Sequence, residues 1–169
     1  MRAMRWVGLV IVLTSSTFLL GAGTRGFEGT PPPAPADKRV AVIVNEKNPV
    51  TDLSLADLRA ILKLERQFWP NGRRVALFLR PGESAESRVL LDKVYKTSHE
   101  KLQKYWVSKL FAGEIPAKPS YVPTAEAAGS RVREGEGAVS VVLSTEVPKD
   151  VRVLSIDGRR PDHAEYALR

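Results

Sequence analysis

The stretch that decides the fold is VALFLRPGESAESRVLL, residues 75–91. An apolar run passes through a Pro-Gly turn into a segment that begins with a serine and continues with apolar residues at helical spacing. A strand, a tight turn and a helix in this order are typical of α/β folds. The sequence therefore predicts that Arg80, at the end of the strand, lies close to Ser84, at the start of the helix.

The segments around this unit repeat the alternation of strand and helix. RVAVIVN (39–45) is typical of a strand buried on both faces. Ser54 and Asp57 indicate a capping box at a helix start, and WPNG (69–72) indicates a turn. In a further helix that begins after Ser98 and stops at Gly113, the predicted buried stripe contains Leu102, Tyr105, Trp106, Lys109 and Leu110.

The last part of the domain follows the same alternation. PTAEAAGSRVREG (123–135) predicts a helix of small residues, and GAVSVVL (137–143) and VRVLSI (151–156) predict strands. Gly129 costs such a helix about 1 kcal/mol relative to alanine, so we expect another segment to pack close to it. Helices alternating with strands indicate a mostly parallel sheet flanked by helices, which favours ligand binding at the carboxyl ends of the strands.

The N-terminal segment predicts export. Arg2 and Arg5 precede an uncharged run, residues 6–23, which ends in small residues, as in a signal peptide. An uncleaved anchor is the alternative, because the run is close to the roughly 17 to 25 residues that span a bilayer. We divide the chain into a signal peptide or N-terminal anchor (1–23), a Pro-rich linker (24–38), a folded domain (39–158) and a polar C-terminal tail (159–169). The expected location is periplasmic or otherwise extracytoplasmic.

Charge and cysteine content narrow the functional classes. The formal charge is +7, and without the leader arginines Arg2, Arg5 and Arg25 it falls to +4, because 23 basic residues then face 19 acidic ones. This excess suits an anionic ligand or a membrane surface, and without a dense basic stripe nucleic acid is disfavoured as a partner. The chain has no cysteine, which excludes disulfides and a lipid-modified cysteine.

The turn after the strand is a candidate anion site. The guanidinium of Arg80, the hydroxyl of Ser84 and the amides of Ala85, Glu86 and Ser87 could converge on one oxyanion, because the first amides of a helix favour negative charge. The alternative needs no ligand: Ser84 caps its own helix, Glu86 favours the helix dipole, and Arg80 pairs with Glu83 or Glu86.

Catalytic and metal sites find little support. GESAE (82–86) is one residue short of the G-x-S-x-G nucleophile motif, and the two candidate bases, His99 and His163, have no acid partner fixed near them. Two separate histidines without cysteine give no zinc spacing, and no Gly-rich nucleotide loop is present. We predict a protein that is not an enzyme, with no cofactor.

The order of these motifs resembles a known family. VAVIVNEKNPVTDLSLADLRAIL, FWPNG, VALFLRPGESAES, KLQKYWVSKLFAG and EGEGAVSVVL, from about residue 40 to 154, resemble the phosphate-binding (PstS-like) proteins of ABC importers. The resemblance is to a short, single-lobe form of the type II periplasmic-binding-protein fold. It implies a solute-binding protein that binds phosphate or a related oxyanion and serves an ABC permease.

The family motif also marks where this chain departs from the pattern. In the family an arginine is followed, after three residues, by Ser-Gly-Thr, which binds phosphate. Arg80 and Ser84 match, Ala85 replaces the glycine, and Glu86 replaces the threonine. A carboxylate repels a phosphate, and the chain is too short for the second lobe, so two chains or another protein could be needed to complete a cleft. The alternative is an envelope interaction module that has lost anion binding.

Overall fold

A five-stranded sheet forms the centre of the molecule, and a second sheet has two strands. The computed structural model describes residues 38–169, so the predicted signal peptide, and the predicted linker except Lys38, lie outside the described residues. The strands are β1 Val40–Val44, β2 Asp52–Leu53, β3 Ala76–Leu79, β4 Ser120–Tyr121, β5 Ala138–Leu143, β6 Arg152–Val153 and β7 Ser155–Ile156. The order across the larger sheet is β4-β3-β5-β1-β6, and β2 pairs with β7 in the smaller one. The helices are α1 Leu55–Leu62, α2 Ala85–Val89, α3 His99–Phe111 and α4 Ala125–Glu134; α2 continues as a π-helix, Leu90–Tyr95.

Four of the five central strands run in the same direction. β3 is parallel to β4 and to β5, whereas β1 is antiparallel to both of its neighbours, β5 and β6. Helices pack on both sides of this sheet. The predicted fold class, an α/β lobe with a mostly parallel sheet, is confirmed.

The first strand, β1, is buried on both faces, as its sequence predicts. All five of its residues have no exposed surface. Because side chains alternate along a strand, Val40, Val42 and Val44 enter the larger core cluster, and Ala41 and Ile43 enter a smaller one. The larger cluster contains residues of α1 and α3, and the smaller one contains residues of α4. One strand therefore joins two hydrophobic layers.

Two predicted local signals are confirmed at α1 and at the turn that follows it. The Ser54 hydroxyl accepts a hydrogen bond from the Asp57 amide at 3.0 Å and donates to the Asp57 carboxylate at 2.8 Å. In the WPNG turn, Gly72 has a φ of +77°, which favours glycine. Trp69 is buried, and its indole Nε1 donates to the Gly137 carbonyl at 2.9 Å, which ties the turn to the residue directly before β5.

The buried stripe predicted for α3 is wrong at its C-terminal end. Ser98 caps the helix and Leu102 and Trp106 are buried, as expected. Leu110, however, is 36% exposed. Within α3, the larger core cluster includes Leu102 and Trp106 but no residue of the last turn, so Leu110 lies outside the layer that the helix covers. Gly113, with a φ of +70°, follows the helix end as predicted.

The C-terminal segment 159–169 is not a polar tail. Tyr166 and Leu168 lie in the larger core cluster and are almost fully buried. The Leu168 carbonyl accepts a hydrogen bond from the Val40 amide at 3.0 Å. The two side chains, spaced two residues apart, cover the start of β1. The sequence did not predict this role, because Tyr166 and Leu168 stand among polar neighbours.

The close packing that we predict at Gly129 of α4 is confirmed. A Cβ atom at this position would lie 2.6 Å from the Cβ of Pro148, in the loop after β5. Contacts this short are not tolerated without movement of the backbone. The glycine therefore allows the loop to lie directly on α4.

We expect Gly129→Ala to lower the free energy of unfolding by about 1 to 3 kcal/mol, because overpacking outweighs the gain in helix propensity. Urea unfolding of residues 38–169, which contain both core clusters, measures this change. In the Pro148→Gly background, which removes the Cβ atom that the new methyl group would meet, the same substitution should become close to neutral. A loss of stability that is equal in both backgrounds would contradict the contact.

Candidate functional site

The candidate site lies where the carboxyl ends of three parallel strands meet. Arg80 directly follows β3, Val122 follows β4, and Ser144 follows β5. An open cleft of about 950 Å³ lies at this edge, lined by Arg80 and by the start of α4. The expected position of a ligand site, at the carboxyl edge of the sheet, therefore coincides with a cleft.

The hydroxyl groups of the turn after β3 bind the turn itself. Ser84 Oγ accepts a hydrogen bond from the Ser87 amide and donates to Ser87 Oγ, both at 3.2 Å. Ser87 Oγ donates to the carbonyls of Arg80, at 3.0 Å, and Pro81, at 2.9 Å. Ser84 is thus the N-cap of α2. Both hydroxyls hold the turn in shape, as in the ligand-free alternative of the sequence analysis.

Glu86 lies beside the guanidinium of Arg80. The Glu86 carboxylate is 3.2 Å from Arg80 Nε, and a second guanidinium nitrogen, Nη1, donates to the Val122 carbonyl at 3.3 Å. The exposed fraction of the side chain is 17% for Arg80 and 4% for Glu86. Of the two partners that the sequence offers to Arg80, Glu86 is the one in contact, and Glu83 is exposed.

The structure brings together four of the five predicted ligand-binding residues. Arg80, Ser84, Glu86 and Ser87 contact one another as described above, and Ala85 begins α2 with an exposed side chain. The contacts, however, join these residues to each other. The negative charge at the Arg80 guanidinium is the carboxylate of Glu86.

The other wall of the cleft is the N-terminal end of α4, which our sequence analysis did not identify as part of a site. Thr124 caps this helix by accepting a hydrogen bond from the Ala127 amide at 3.1 Å. Arg133 contacts the Glu126 carboxylate at 2.7 Å and donates to the Lys149 carbonyl at 3.0 Å. Two sequence signals could have identified this wall: a threonine before a helical pattern, and an acidic and a basic residue seven positions apart.

The charges along the cleft are balanced. Three basic and three acidic side chains line it: Arg80, Arg133, Lys149, Glu126, Glu146 and Asp150. A small multivalent anion is bound best where positive charge dominates. This cleft instead presents both signs over a wide, open area.

Behind the turn, the packing is apolar and gives Ser84 no catalytic base. The His99 ring lies against Gly82, where an added Cβ would meet it at 2.5 Å. Burial, followed by the charge of Tyr121, raises the pKa of the Tyr95 hydroxyl, which donates to the Leu62 carbonyl at 3.1 Å. In the described chain the hydrogen bonds of Ser84 Oγ go to Ser87, so the serine lacks the imidazole contact that activates a nucleophile.

Structural comparison identifies what this architecture resembles. A putative phosphate ABC transporter substrate-binding protein from Clostridium perfringens, solved with bound phosphate, matches with a TM-score of 0.58 and 18% identity over 73% of this chain and 46% of that one. An ABC-type phosphate transport receptor from Vibrio cholerae matches with a TM-score of 0.57 and 17% identity over 73% and 48%. PstS from Borrelia burgdorferi matches with a TM-score of 0.61 and 13% identity over 77% and 53%.

The fold is that of these solute-binding proteins. At this level of identity the likeness shows the fold alone. The chain spans about half the length of the proteins that it matches. No protein-family profile matches the sequence, and no curated protein matches it. Within residues 38–169, no helix has the length and apolar character needed to cross a bilayer.

We expect the Arg80–Glu86 pair to behave as a buried ion pair. Arg80→Met should lower the free energy of unfolding by about 3 kcal/mol, because it leaves a buried carboxylate without its partner. The double variant Arg80→Met/Glu86→Leu should recover most of this loss, since neither charge then remains. Urea unfolding of residues 38–169 measures both.

The control for this cycle is Lys47→Met. Lys47 contacts Glu136 at 3.8 Å, with 78% and 37% of the two side chains exposed, so removing the pair should cost less than about 1 kcal/mol. If Arg80→Met lowers the free energy of unfolding no more than Lys47→Met does, the Arg80–Glu86 pair contributes no more to stability than an exposed ion pair.

Proposed function

We propose that this domain is a non-catalytic relative of the solute-binding lobe that docks to a partner in the cell envelope and does not capture free phosphate. The observation that carries the proposal is the contact between the buried Glu86 carboxylate and Arg80. At the position where the resembling family binds phosphate through a threonine, this chain supplies an anion of its own.

The energetics of the pair favour this proposal over phosphate capture. A phosphate that binds the guanidinium either lies beside Glu86 and is repelled, or displaces it and leaves a buried carboxylate unpaired. A penalty of about 3 kcal/mol weakens binding more than a hundredfold. The bridge from Ser87 Oγ to two carbonyls of the turn also holds the loop in the conformation that keeps Glu86 in place.

The cleft supports a macromolecular partner. It is about 950 Å³ in volume, open, and lined by equal numbers of acidic and basic side chains. Charges of both signs on a broad surface favour an oriented protein contact, in which each group meets its opposite. Within residues 38–169 this edge is open.

The second candidate function is capture of phosphate or a related oxyanion for an ABC permease. It is favoured by the meeting of Arg80, Ser84 and the first turn of α2 at the carboxyl edge, together with the phosphate bound in the Clostridium perfringens protein. In this reading Arg80, Ser84, Ala85, Glu86 and Ser87 form the site. Two chains that pair through the cleft could then complete the shell around the anion.

The proposed site of action is the cell envelope. A leader at residues 1–23, as the sequence predicts, would direct the domain to the periplasm or another extracytoplasmic space, released or membrane-anchored. The linker, residues 24–38, would separate it from the bilayer in the anchored form. An envelope protein is the partner in the first function, and an ABC permease is the partner in the second.

Glu86→Thr distinguishes the two functions. We expect the unfolding midpoint of wild-type residues 38–169 not to respond to millimolar phosphate at fixed ionic strength. In Glu86→Thr, phosphate should raise the midpoint, because a site filled at one hundred times its dissociation constant adds about 2.7 kcal/mol. Sulfate tests selectivity, and Glu83→Thr, which removes an exposed carboxylate three residues away, is the matched control.

Three results of this titration are informative. If phosphate raises the unfolding midpoint only in Glu86→Thr, the result supports an oxyanion site that the Glu86 carboxylate occupies in the wild type. A response in the wild type supports oxyanion capture and overturns the first function. No response in either chain would mean that the turn after β3 is not an oxyanion seat.

Docking itself is tested in cells with the full chain. A photo-crosslinking residue at position 124 or 149, on the two walls of the cleft, should give one discrete covalent adduct. The same residue at position 51, an exposed site in the loop before β2, is the control. Equal labelling at all three positions would contradict a partner at the cleft.

A further inference from the structure

A second pocket lies at the other end of β3 from the cleft. It has a volume of about 210 Å³ and lies between the amino-terminal half of β3 and segment 116–120, which leads into β4. We call it the β3 edge pocket. Arg80, at the carboxyl end of β3, lines the cleft but not this pocket, and the two share no lining residue. The β3 edge pocket is therefore separate from the site described above.

The pocket forms because β4 accompanies β3 over only part of its length. The two strands pair at Phe78 with Ser120 and at Leu79 with Tyr121. Residues 116–119 belong to no strand, and the space between them and the start of β3 is the pocket. A short partner strand thus leaves a gap at the edge of the sheet.

One backbone donor at this gap has no acceptor. The Ala76 amide donates to the Gly137 carbonyl, on the β5 side, at 3.0 Å. Neighbouring residues of a strand direct their amides to opposite edges, so the Leu77 amide faces the β4 side. The pairing with β4 begins one residue later, at Phe78, and within residues 38–169 no carbonyl accepts a hydrogen bond from the Leu77 amide. A donor at the wall of a pocket favours a ligand that carries an acceptor.

The walls of the β3 edge pocket are apolar. Leu64, Val75 and Leu77 line it, each is at most 7% exposed, and all three belong to the larger core cluster. Leu64 has a φ of +61°, a conformation that bulky residues rarely adopt, so its place in the wall is kept in spite of backbone strain. A cavity of about 150 Å³ with such a lining binds benzene. The β3 edge pocket, which is larger, therefore admits a ring with a small substituent.

The rim of the β3 edge pocket is basic. Arg74 and Lys118 are the charged residues that line it, and no acidic side chain does. The carboxylate of Glu114, close by in the sequence, contacts Lys109. Lys118 is exposed and takes part in no hydrogen bond or ion pair within residues 38–169. In the described part of the chain, both cations of the rim are thus without a carboxylate partner.

Arg74 is held in position by two neighbours. Its guanidinium lies over the Phe68 ring, 4.8 Å from the ring centroid, and its Nη1 donates to Gln67 Oε1 at 3.2 Å. Gln67 Nε2 in turn donates to the Glu114 carbonyl at 2.6 Å, which fixes the amide group. A guanidinium has five N–H donors, so most of them remain for a ligand. A guanidinium that is already oriented binds a carboxylate well, because little freedom is lost on binding.

We propose that the β3 edge pocket binds a small monocarboxylate whose apolar body is about the size of a benzene ring. The apolar body lies against Leu64, Val75 and Leu77, and the carboxylate lies at the rim with Arg74 and Lys118. This site does not involve Arg80 or Glu86, so the inference is independent of the proposed function.

The combination of walls and rim favours this class of ligand over two others. Inorganic phosphate would pair with the rim but leave the apolar walls uncovered. A neutral hydrocarbon would cover the walls but leave both cations and the Leu77 amide without an acceptor. A carboxylate with an apolar body matches both parts of the pocket, as ligands of mostly apolar pockets with a few polar groups do.

NMR titration of ¹⁵N-labelled residues 38–169, which contain both core clusters, with phenylacetate tests the inference. We expect a dissociation constant of about 0.1 to 1 mM, as is reasonable for a ligand of about ten heavy atoms. The largest amide shifts should occur at Leu77 and Ser120. Phenylacetamide has the same shape without the charge and should bind about tenfold more weakly. Acetate, which lacks the ring, should cause no shift at Leu77.

Substitutions at the rim separate the charge from the fold. Arg74→Met should weaken the binding of phenylacetate about tenfold and leave that of phenylacetamide unchanged. Arg73→Met is the matched control, because it removes the same charge from the neighbouring residue, whose guanidinium contacts Glu136 at 2.8 Å. Lys118→Met should weaken phenylacetate about threefold. Thermal unfolding confirms that each variant remains folded.

Three results would overturn the inference. One is the absence of a shift at Leu77 with up to about 10 mM phenylacetate. Another is equal affinity for phenylacetate and phenylacetamide, which would leave the basic rim without a role. The third is a set of shifts confined to Ala85, Glu86 and Ser87, which would place the carboxylate at the turn after β3.

Discussion

The strand β1 is the element on which the rest of the fold depends. Its five residues have no exposed surface, so both faces need a covering layer. One layer comes from α1, the α2 helix with its π-helical continuation, and α3, and the other comes from α4. Asn45, directly after β1, donates hydrogen bonds to the carbonyls of Val132 and Arg133 at 2.9 Å, which fixes the C-terminal end of α4 to the sheet. The C-terminal segment completes the layer through Tyr166 and Leu168.

Strand direction then decides where chemistry can occur. Since β3, β4 and β5 run the same way, their carboxyl ends bring Arg80, the start of α4 and the loop after β5 to one edge. Gly129 is the point where that loop rests on α4. The edge is thus held by packing on one side and by hydrogen bonds within the turn after β3 on the other, which leaves little freedom for the Arg80–Glu86 pair.

Much of the fold could be predicted from the sequence because local signals carry it. Three kinds of local signal were sufficient: a fully apolar β-branched run for a buried strand, a serine at the start of a helix (Ser54, Ser84 and Ser98), and a glycine where two segments pack closely. The missed features depend on distant parts of the chain. Whether Leu110 is covered depends on where the layer below it ends, and the burial of Tyr166 and Leu168 depends on a gap beside β1. No short window of sequence contains this information.

The candidate site shows the same limit. The residues of the turn after β3 could be named from their order, and Glu83 and Glu86 were both reasonable partners for Arg80. The choice between them depends on which side of α2 faces the strand. Thr124 and Arg133 were missed because they join the cleft only through the sheet topology, over forty residues from Arg80.

A single carboxylate can change the function of such a site because it is attached to the chain. A ligand group held by a short covalent path acts at an effective concentration in the millimolar range or above, and free phosphate has to compete with it. The burial of Glu86 adds to this advantage, because moving a carboxylate out of its contact leaves a charge unpaired in a region of low dielectric constant. In the proposed function, the carboxylate at position 86 takes the place of a free anion and becomes part of the scaffold. What remains available for recognition is the surface around it, with charges of both signs.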